Sequence, residues 1–508
     1  MTESLLCGVF LLVFAVFLHR KSAGLNLTGR PCFADLAACA VAVWLYALLL
    51  CLSARPYFAL TLSILLLVGL YCVNVAKIKA LRGEPLVFAD VALAWQAVRF
   101  PELYLPFLPC KALVLGGLAG GVGLTALWLG QEPVPRSGWW LLPLCWPLVY
   151  PFLYSRHGQP LAQWLQDRWP LTFKPQEDAR LYGPLGAAIL HVCWHLGLRG
   201  KNGMGIRHYA ETEPAISSWS VQDVEEVSAP SSDEQDCLKR PNIFLVQAES
   251  FCDPRLFSPL IPSDILPHYD AVCRQGLSGS MAVGAFGAYT MRTEFAVLTG
   301  QPASSLGTDA FHPYWSASHI PTWSIARHLR AQGYRTVCLH PFHREFFFRH
   351  KAIPNLGFEE FISLEDFPYK ETFGPYVSDA SVAQAMMGLL EDSRPVFCFA
   401  ITMENHGPWR EGRLPVGDKP IAGLSAPVTR YLCHLRNADA MIGQLCAALH
   451  SARRHGVLGW YGDHLPNLPD LIPDGETAVP YFVWKSCGQH TLCCKITAPE
   501  TLRAILLA

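Results

Sequence analysis

The chain has 508 residues, 51% of them hydrophobic and 16% charged, which is too long and too apolar for one ordinary soluble domain. With 40 basic against 41 acidic residues the net charge is −1, so no global field recruits nucleic acid, and no basic run with interleaved aromatics replaces one. The 18 cysteines form no C-x-x-C pair and no zinc-ribbon spacing; Cys338 in "TVCLH" and Cys398 in "VFCFAI" read as buried thiols, and the adjacent Cys493 and Cys494 are open to oxidation outside the cytoplasm.

The apolar residues crowd the first third. Stretches 5–18, 36–54, 57–76, 112–129 and 139–154 carry no charged residue, and three of them approach the ~20 residues needed to cross a bilayer. Five membrane segments are expected, the first and last short enough to be tilted or interfacial. "MTES" lacks the basic residues of a removable leader and no small-x-small cleavage site follows, so the first segment reads as an anchor. Next, 184–198 has the pattern of an amphipathic helix, lying on the membrane face or serving as a soluble linker. Then "ETEPAISSWSVQDVEEVSAPSSDEQD" (211–236) concentrates Ser, Pro, Asp and Glu, the composition of a flexible tether. The expected division is a membrane domain over 1–155, a juxtamembrane helix and linker over 156–240, and a second domain over 241–508.

From Pro241 onward short β-branched or apolar runs alternate with helical periods, which predicts an α/β domain with a mostly parallel sheet. Helices are expected over 324–332, behind Ser378 and Asp379, and over 428–450. Strands are expected at 243–246, 336–339, 396–401 and 457–461. Each is followed by polar residues able to do chemistry: Glu249, His340, His406, and Asp463 with His464. Ligands of an open α/β sheet bind beyond the carboxyl ends of its strands, so these positions converge on one site.

Glu249, Asp463 and His464 offer two hard oxygens and one imidazole, a set that suits Mn, Mg or Zn with a fourth position open. Thr290, just ahead of the helical run "TEFAVL", is the candidate for that position: a helix N-terminus and a metal both favour an alkoxide. The plainer readings are that Thr290 is an N-cap, that His406 is a loop histidine and that His340 merely ends a strand.

Taken in order, "PNIFLVQAES", "TMRTEF", "HPFHREFFFRHKAIPNLGFEEF", "ITMENHGPW" and "YGDHLP", behind a multi-span anchor, resemble the lipoteichoic acid synthase and phosphoglycerol transferase branch of the alkaline phosphatase and sulfatase superfamily. The resemblance covers roughly 241–470. It implies a C-terminal α/β sulfatase-like domain on the outer face of the membrane, one divalent metal, usually manganese, a glycerophospholipid donor and an envelope glycan or polymer acceptor. By position, Glu249, Asp463 and His464 match the family's metal ligands, Thr290 its metal-bound nucleophile, and His340, Arg349 and His406 the residues that hold the phosphoglycerol group. Phe347 stands where the family has a tryptophan, so ring stacking survives without the indole hydrogen bond. Thr290 is then expected both to cap its helix and to attack phosphorus. Rival readings are a phosphoethanolamine transferase acting on lipid A or a glycan, a sulfatase, which would need a convertible cysteine or serine where this chain has Thr290, and a membrane-anchored binding protein with a dead site. Basic residues gather after the first and third segments, so five crossings would place the catalytic domain in the cytoplasm; one segment more or fewer restores the outer face that the resemblance implies.

Overall fold

In a computed structural model the chain is described over residues 2–22, 31–104, 110–135, 158–197, 240–284, 288–414, 421–487 and 492–507, together with positions 143 and 152. It divides into two compact units, Met1–Gly203 and Met204–Ala508. The predicted segment 139–154 and the tether 211–236 lie outside the described residues, position 143 and position 152 apart.

The first unit is helical. Helices α1 (Thr2–Ser22), α2 (Pro31–Ser53) and α3 (Pro56–Ala80) pack together, and α4 (Cys110–Gly130) lies against α3. Three spans, Thr2–Arg20, Phe33–Ser53 and Pro56–Ala80, are long and apolar enough to cross a membrane, and α4 is apolar over Val114–Gly130. The first segment therefore reaches spanning length, because the helix runs through its polar flanks on both sides. Ala15, Ala42 and Ala59 sit in the shared core with Leu11, Tyr46 and Leu67; such small residues allow close approach where lipid supplies no hydrophobic drive. The amphipathic stretch belongs to α5 (Pro175–Gly197), which bends at Gly183, where φ is 68°. Its apolar face is covered by protein: Tyr182, Ala187 and Leu190 pack with Phe33 of α2 and with Trp169.

The second unit is built on one eight-stranded sheet. Its strands are β1 (Asn242–Ala248), β2 (Leu277–Ala282), β3 (Arg335–His340), β4 (Glu360–Ser363), β5 (Val396–Ile401), β6 (Gly456–Gly462), β7 (Ala478–Lys485) and β8 (Leu492–Thr497). They run in the order β8-β2-β7-β6-β1-β5-β3-β4. The four strands read from the sequence, β6, β1, β5 and β3, are the adjacent central ones and are mutually parallel. "IFLV" and "VFCFAI" are continuous apolar runs because both faces of these strands are buried. The sheet is mixed: β7 runs antiparallel to both β6 and β2. Cys338 and Cys398 are buried free thiols; the side chains of Cys493 and Cys494 lie outside the described residues.

Capping chemistry sets the helices as expected. Ser324 opens α7 (Ile325–Ala331) by accepting from Arg327 N, and Ser378 opens α9 (Asp379–Gly388) by accepting from Ser381 N. Between them comes α8 (Arg349–Asn355), and the long α10 (Ala426–Ser451) covers 428–450.

Helix α6 (Thr290–Thr299) corrects one expectation. Thr290 is the first helical residue, while Tyr289 occupies the cap position in a left-handed conformation, φ 61°, and no side chain caps this end. A hydroxyl inside the first turn is past the position from which it could cap the turn. Thr290 does not cap, and its oxygen is left for other partners.

Candidate active site

Strands β1 and β6 are neighbours, with Ala248 opposite Gly462, so the residues that follow, Glu249 on one and Asp463 with His464 on the other, emerge side by side. Gly462 makes the approach possible: a Cβ there would lie 2.2 Å from the carbonyl oxygen of Phe251. Ser250 takes a left-handed φ of 52°. There its N–H donates to Asp463 Oδ1 at 2.8 Å and its hydroxyl to Glu249 Oε1 at 2.9 Å. Such a backbone conformation costs about 1 kcal/mol and persists where hydrogen bonds fix it. Tyr289, Phe347 and Phe348 are left-handed too, so the strained residues bracket Glu249, Thr290 and Arg349.

One carboxylate oxygen of Glu249, one of Asp463 and one imidazole nitrogen of His464 lie within 4.8 Å of one another, all buried. His464 Nε2 is 3.3 Å from Asp463 Oδ2 and 3.7 Å from Glu249 Oε1. Its Nδ1–H donates to the carbonyl of Leu465 at 3.2 Å, so Nε2 carries a lone pair. Burial lowers the pKa of His464 and keeps it neutral. Burial and the neighbouring Asp463 raise that of Glu249, and burial raises the Asp463 carboxyl to about 7. Asp463 Oδ2 has no hydrogen-bond partner. Acceptors facing acceptors in a dry interior repel unless a proton or a cation stands between them. The donor set thus fits a divalent cation held by hard oxygens and imidazole.

Thr290 belongs to a second cluster. Its Oγ1 accepts from Arg349 Nη2 at 3.2 Å. Arg349, 1% exposed, donates Nη1–H to His340 Nε2 at 3.1 Å and grips Glu294, with Nε to Oε2 at 3.2 Å and Nη2 to Oε1. His340 Nδ1–H donates to the carbonyl of Ile401 at 3.3 Å, so both of its nitrogens are engaged. Burial and the Arg349 charge hold its pKa well below the ordinary imidazole value. The Arg349 guanidinium carbon lies 5.2 Å from the Phe347 ring centroid, so the benzyl ring at the tryptophan position packs on the arginine it precedes. The two clusters are tied by Thr293, whose hydroxyl donates to the carbonyl of Asp463 at 3.1 Å.

His406 faces the first cluster. Burial lowers its pKa, and Glu249 and His464 act on it electrostatically. Its Nδ1–H donates to Gly407 O at 2.8 Å, which leaves Nε2 as a lone pair. Arg413 holds the loop from outside by donating to the carbonyls of Glu404, at 2.9 Å, and of His406.

The structure therefore joins Glu249, Asp463 and His464 in one group and Thr290, Arg349 and His340 in another, with Phe347 over Arg349 and His406 beside the first. Sequence reasoning missed Glu294, Gln247 and Ser250. Glu294 left a signal, a lone acid four residues after Thr290 at the head of an apolar run, which a helix turns onto the same face.

The family model described as Sulfatase matches residues 241–502. RkpI, a capsular polysaccharide biosynthesis protein of Rhizobium meliloti (strain 1021), is 30% identical over 483 residues, covering 92% of this chain and 84% of that protein. The integral membrane lipooligosaccharide phosphoethanolamine transferase A (EptA) of Neisseria meningitidis has the same architecture, with a TM-score of 0.52 at 13% identity over 94% of this chain and 88% of that one. The Streptococcus pyogenes phosphoglycerol transferase GacH aligns over 56% of this chain and 76% of its own, with a TM-score of 0.46 at 23% identity. With the family match spanning just over half the chain and RkpI similar through both units, the chain belongs to the sulfatase family.

Proposed function

We propose that this chain is a membrane-anchored, metal-dependent phosphoglycerol transferase, moving glycerophosphate from phosphatidylglycerol to an envelope glycan or polymer through an ester on Thr290. Its class is phosphotransferase of the sulfatase-like superfamily. The observation that carries the reading is the 3.2 Å bond from the buried Arg349 to a Thr290 hydroxyl that caps nothing, on a helix whose Thr293 bonds the Asp463 carbonyl of the acceptor cluster. A glycan acceptor accords with the names of two relatives, RkpI and a Rhizobium meliloti protein named for cyclic beta-1,2-glucan modification, 29% identical over 45% of this chain.

Glu249, Asp463 and His464 would hold the cation, manganese in our reading with magnesium or zinc as alternatives, and Thr290 would take the fourth position. Such an ion, when bound, supplies Lewis-acid stabilisation of phosphoryl oxygens and lowers the pKa of a hydroxyl. In the first half-reaction Thr290 Oγ1 bonds to phosphorus, the bond from phosphorus to the diacylglycerol oxygen breaks, and the threonine proton ends on that oxygen. In the second, an acceptor hydroxyl oxygen bonds to phosphorus, the threonine ester breaks, and the acceptor's proton returns to Thr290. His406, with its free Nε2, carries the proton both ways. Arg349 steadies Thr290 and meets the phosphate through its remaining Nη1–H.

Because His340 Nε2 is occupied by Arg349, His406→Gln is expected to lower kcat on the order of 100-fold or more, whereas His340→Gln acts mainly on KM by loosening Arg349. Steady-state kinetics of both variants decide; equal kcat losses would return His340 to the acid-base role. Phosphatidylglycerol and phosphatidylethanolamine, each labelled in the headgroup, are to be offered to the purified full chain. Transfer from the first and not the second is expected, and the reverse would reassign the headgroup. The catalytic domain is expected on the outer face of the membrane; a reporter fused after Ala508 that is active only in the cytoplasm would overturn this.

Metal binding should be pH-dependent. Without metal the folded protein keeps the Asp463 proton up to about pH 7, while the unfolded chain releases it near pH ~4. This group's contribution to apo stability is therefore fully present below pH ~4 and lost as pH rises through about 7, an effect on the order of 4 kcal/mol. A cation takes the proton's place, so the rise in Tm on adding manganese should grow from pH 5 to pH 8. A rise independent of pH would remove Asp463 from the ligand set.

A further inference from the structure

Glu294 makes no hydrogen bond to the acceptor cluster, although its charge adds to the rise that burial gives the Asp463 pKa, and in the steps above it does not meet the substrate, yet three hydrogen bonds hold it. It is 0% exposed and stands one helical turn after Thr290 on α6. Gln247 Nε2 donates to its Oε1 at 3.0 Å, and Gln247 is itself fixed on β1 by the Tyr461 hydroxyl of β6 at 2.8 Å. Two adjacent central strands thus set where this carboxylate sits. Of the five guanidinium N–H groups of Arg349, two go to Glu294, one to Thr290 and one to His340.

We propose that Glu294 is a positioning residue: its fork on Arg349 aims one Nη2–H at the Thr290 oxygen, and its charge offsets that of the arginine so that the phosphate subsite does not over-bind a ground-state anion. An unpaired buried arginine beside a metal would hold any phosphate tightly, and uniform tight binding of that kind does not raise kcat. The paired arginine keeps its geometry while the site gives up one unit of attraction for the resting anion. This rests on Arg349 meeting the phosphate as in the reading above.

The test uses the full chain in detergent with manganese, a generic diester, bis(4-nitrophenyl) phosphate, as substrate, and inorganic phosphate as probe in calorimetry. Glu294→Gln keeps the shape, removes the charge and turns an amide N–H toward the arginine. The expected result is a kcat at least 30-fold lower with phosphate binding at least threefold tighter, opposite directions that general damage does not produce. Glu294→Asp keeps the charge and shortens the reach, so kcat should fall at least tenfold while phosphate affinity stays within twofold. Weaker phosphate binding alongside lower kcat in the glutamine variant, or unchanged kcat in both variants, overturns the proposal. Should Glu294→Gln fail to fold, the aspartate variant decides alone: tighter or much weaker phosphate binding there, or wild-type kcat, counts against it. Phosphate binding reads Glu294 whichever headgroup is transferred, so failure with phosphatidylglycerol would remove the function proposed above and leave this result standing.

Discussion

Thr290→Ala is expected to give a folded, metal-binding protein that neither transfers glycerophosphate nor releases diacylglycerol, with kcat at least 1000-fold below wild type by order of magnitude for a lost nucleophile. The structure sharpens this expectation. A capping threonine lost to alanine costs about 1 kcal/mol, but Thr290 makes no cap bond, and its recorded partner is Arg349. Alanine is the better helix former at the first turn but leaves one buried Arg349 N–H without its acceptor, so the stability change should be on the order of 1–3 kcal/mol. Activity and stability then separate cleanly, which thermal melts and kinetics on one preparation can read. Thr290→Ser keeps the oxygen and should retain part of the rate. Wild type incubated with phosphatidylglycerol and no acceptor should carry glycerophosphate on the Thr290 peptide by mass spectrometry. Turnover by the alanine variant beside an unmodified wild-type peptide would mean that water or the acceptor attacks phosphorus directly.

Asp463→Asn should abolish metal-dependent activity while making the metal-free protein more stable at pH 8. Asp463 Oδ1 accepts from Ser250 N and His464 N, each at 2.8 Å, and an amide oxygen accepts both equally. The other oxygen, unpartnered and 3.3 Å from His464 Nε2, becomes an amide N–H that can donate to that lone pair. An acceptor clash turns into a hydrogen bond, and a carboxyl whose ionisation burial resists is replaced by a neutral group. The gain at pH 8 should be on the order of 2 kcal/mol. Manganese should bind at least 100-fold more weakly and add little to Tm. Metal affinity near wild type, or an apo variant less stable than wild type, would show that Asp463 is structural.

Much of this arrangement is written locally. A strand buried on both faces is predominantly apolar, so "IFLV" and "VFCFAI" announce the central strands, and Ser324 and Ser378 announce their helices by the hydrogen bonds a serine favours at a cap. Glu249, His340, His406, Asp463 and His464 were legible because polar residues at or shortly beyond the carboxyl end of a buried strand have one edge to gather at in an open sheet. The stretches 36–54 and 57–76 were legible as helices long enough to cross a bilayer, since bilayer thickness and helix rise fix that length, whereas the first stretch reaches it only through its polar flanks. The outer strands β2, β4, β7 and β8 were not legible, because their "LSGSMA", "EFIS", "AVPYFVWK" and "LCCKIT" carry Gly, Pro or charge that only their neighbours in the sheet excuse. Nor could the sequence show that Tyr289, left-handed, takes the cap position and leaves Thr290 free, since backbone handedness at a bulky residue follows from packing around it. Glu294 read as the start of an apolar run until folding brought Arg349, 55 residues away, onto it. Local interactions encode strands, caps and spans; which acid meets which base is decided by contacts between distant residues, and those only the tertiary structure supplies.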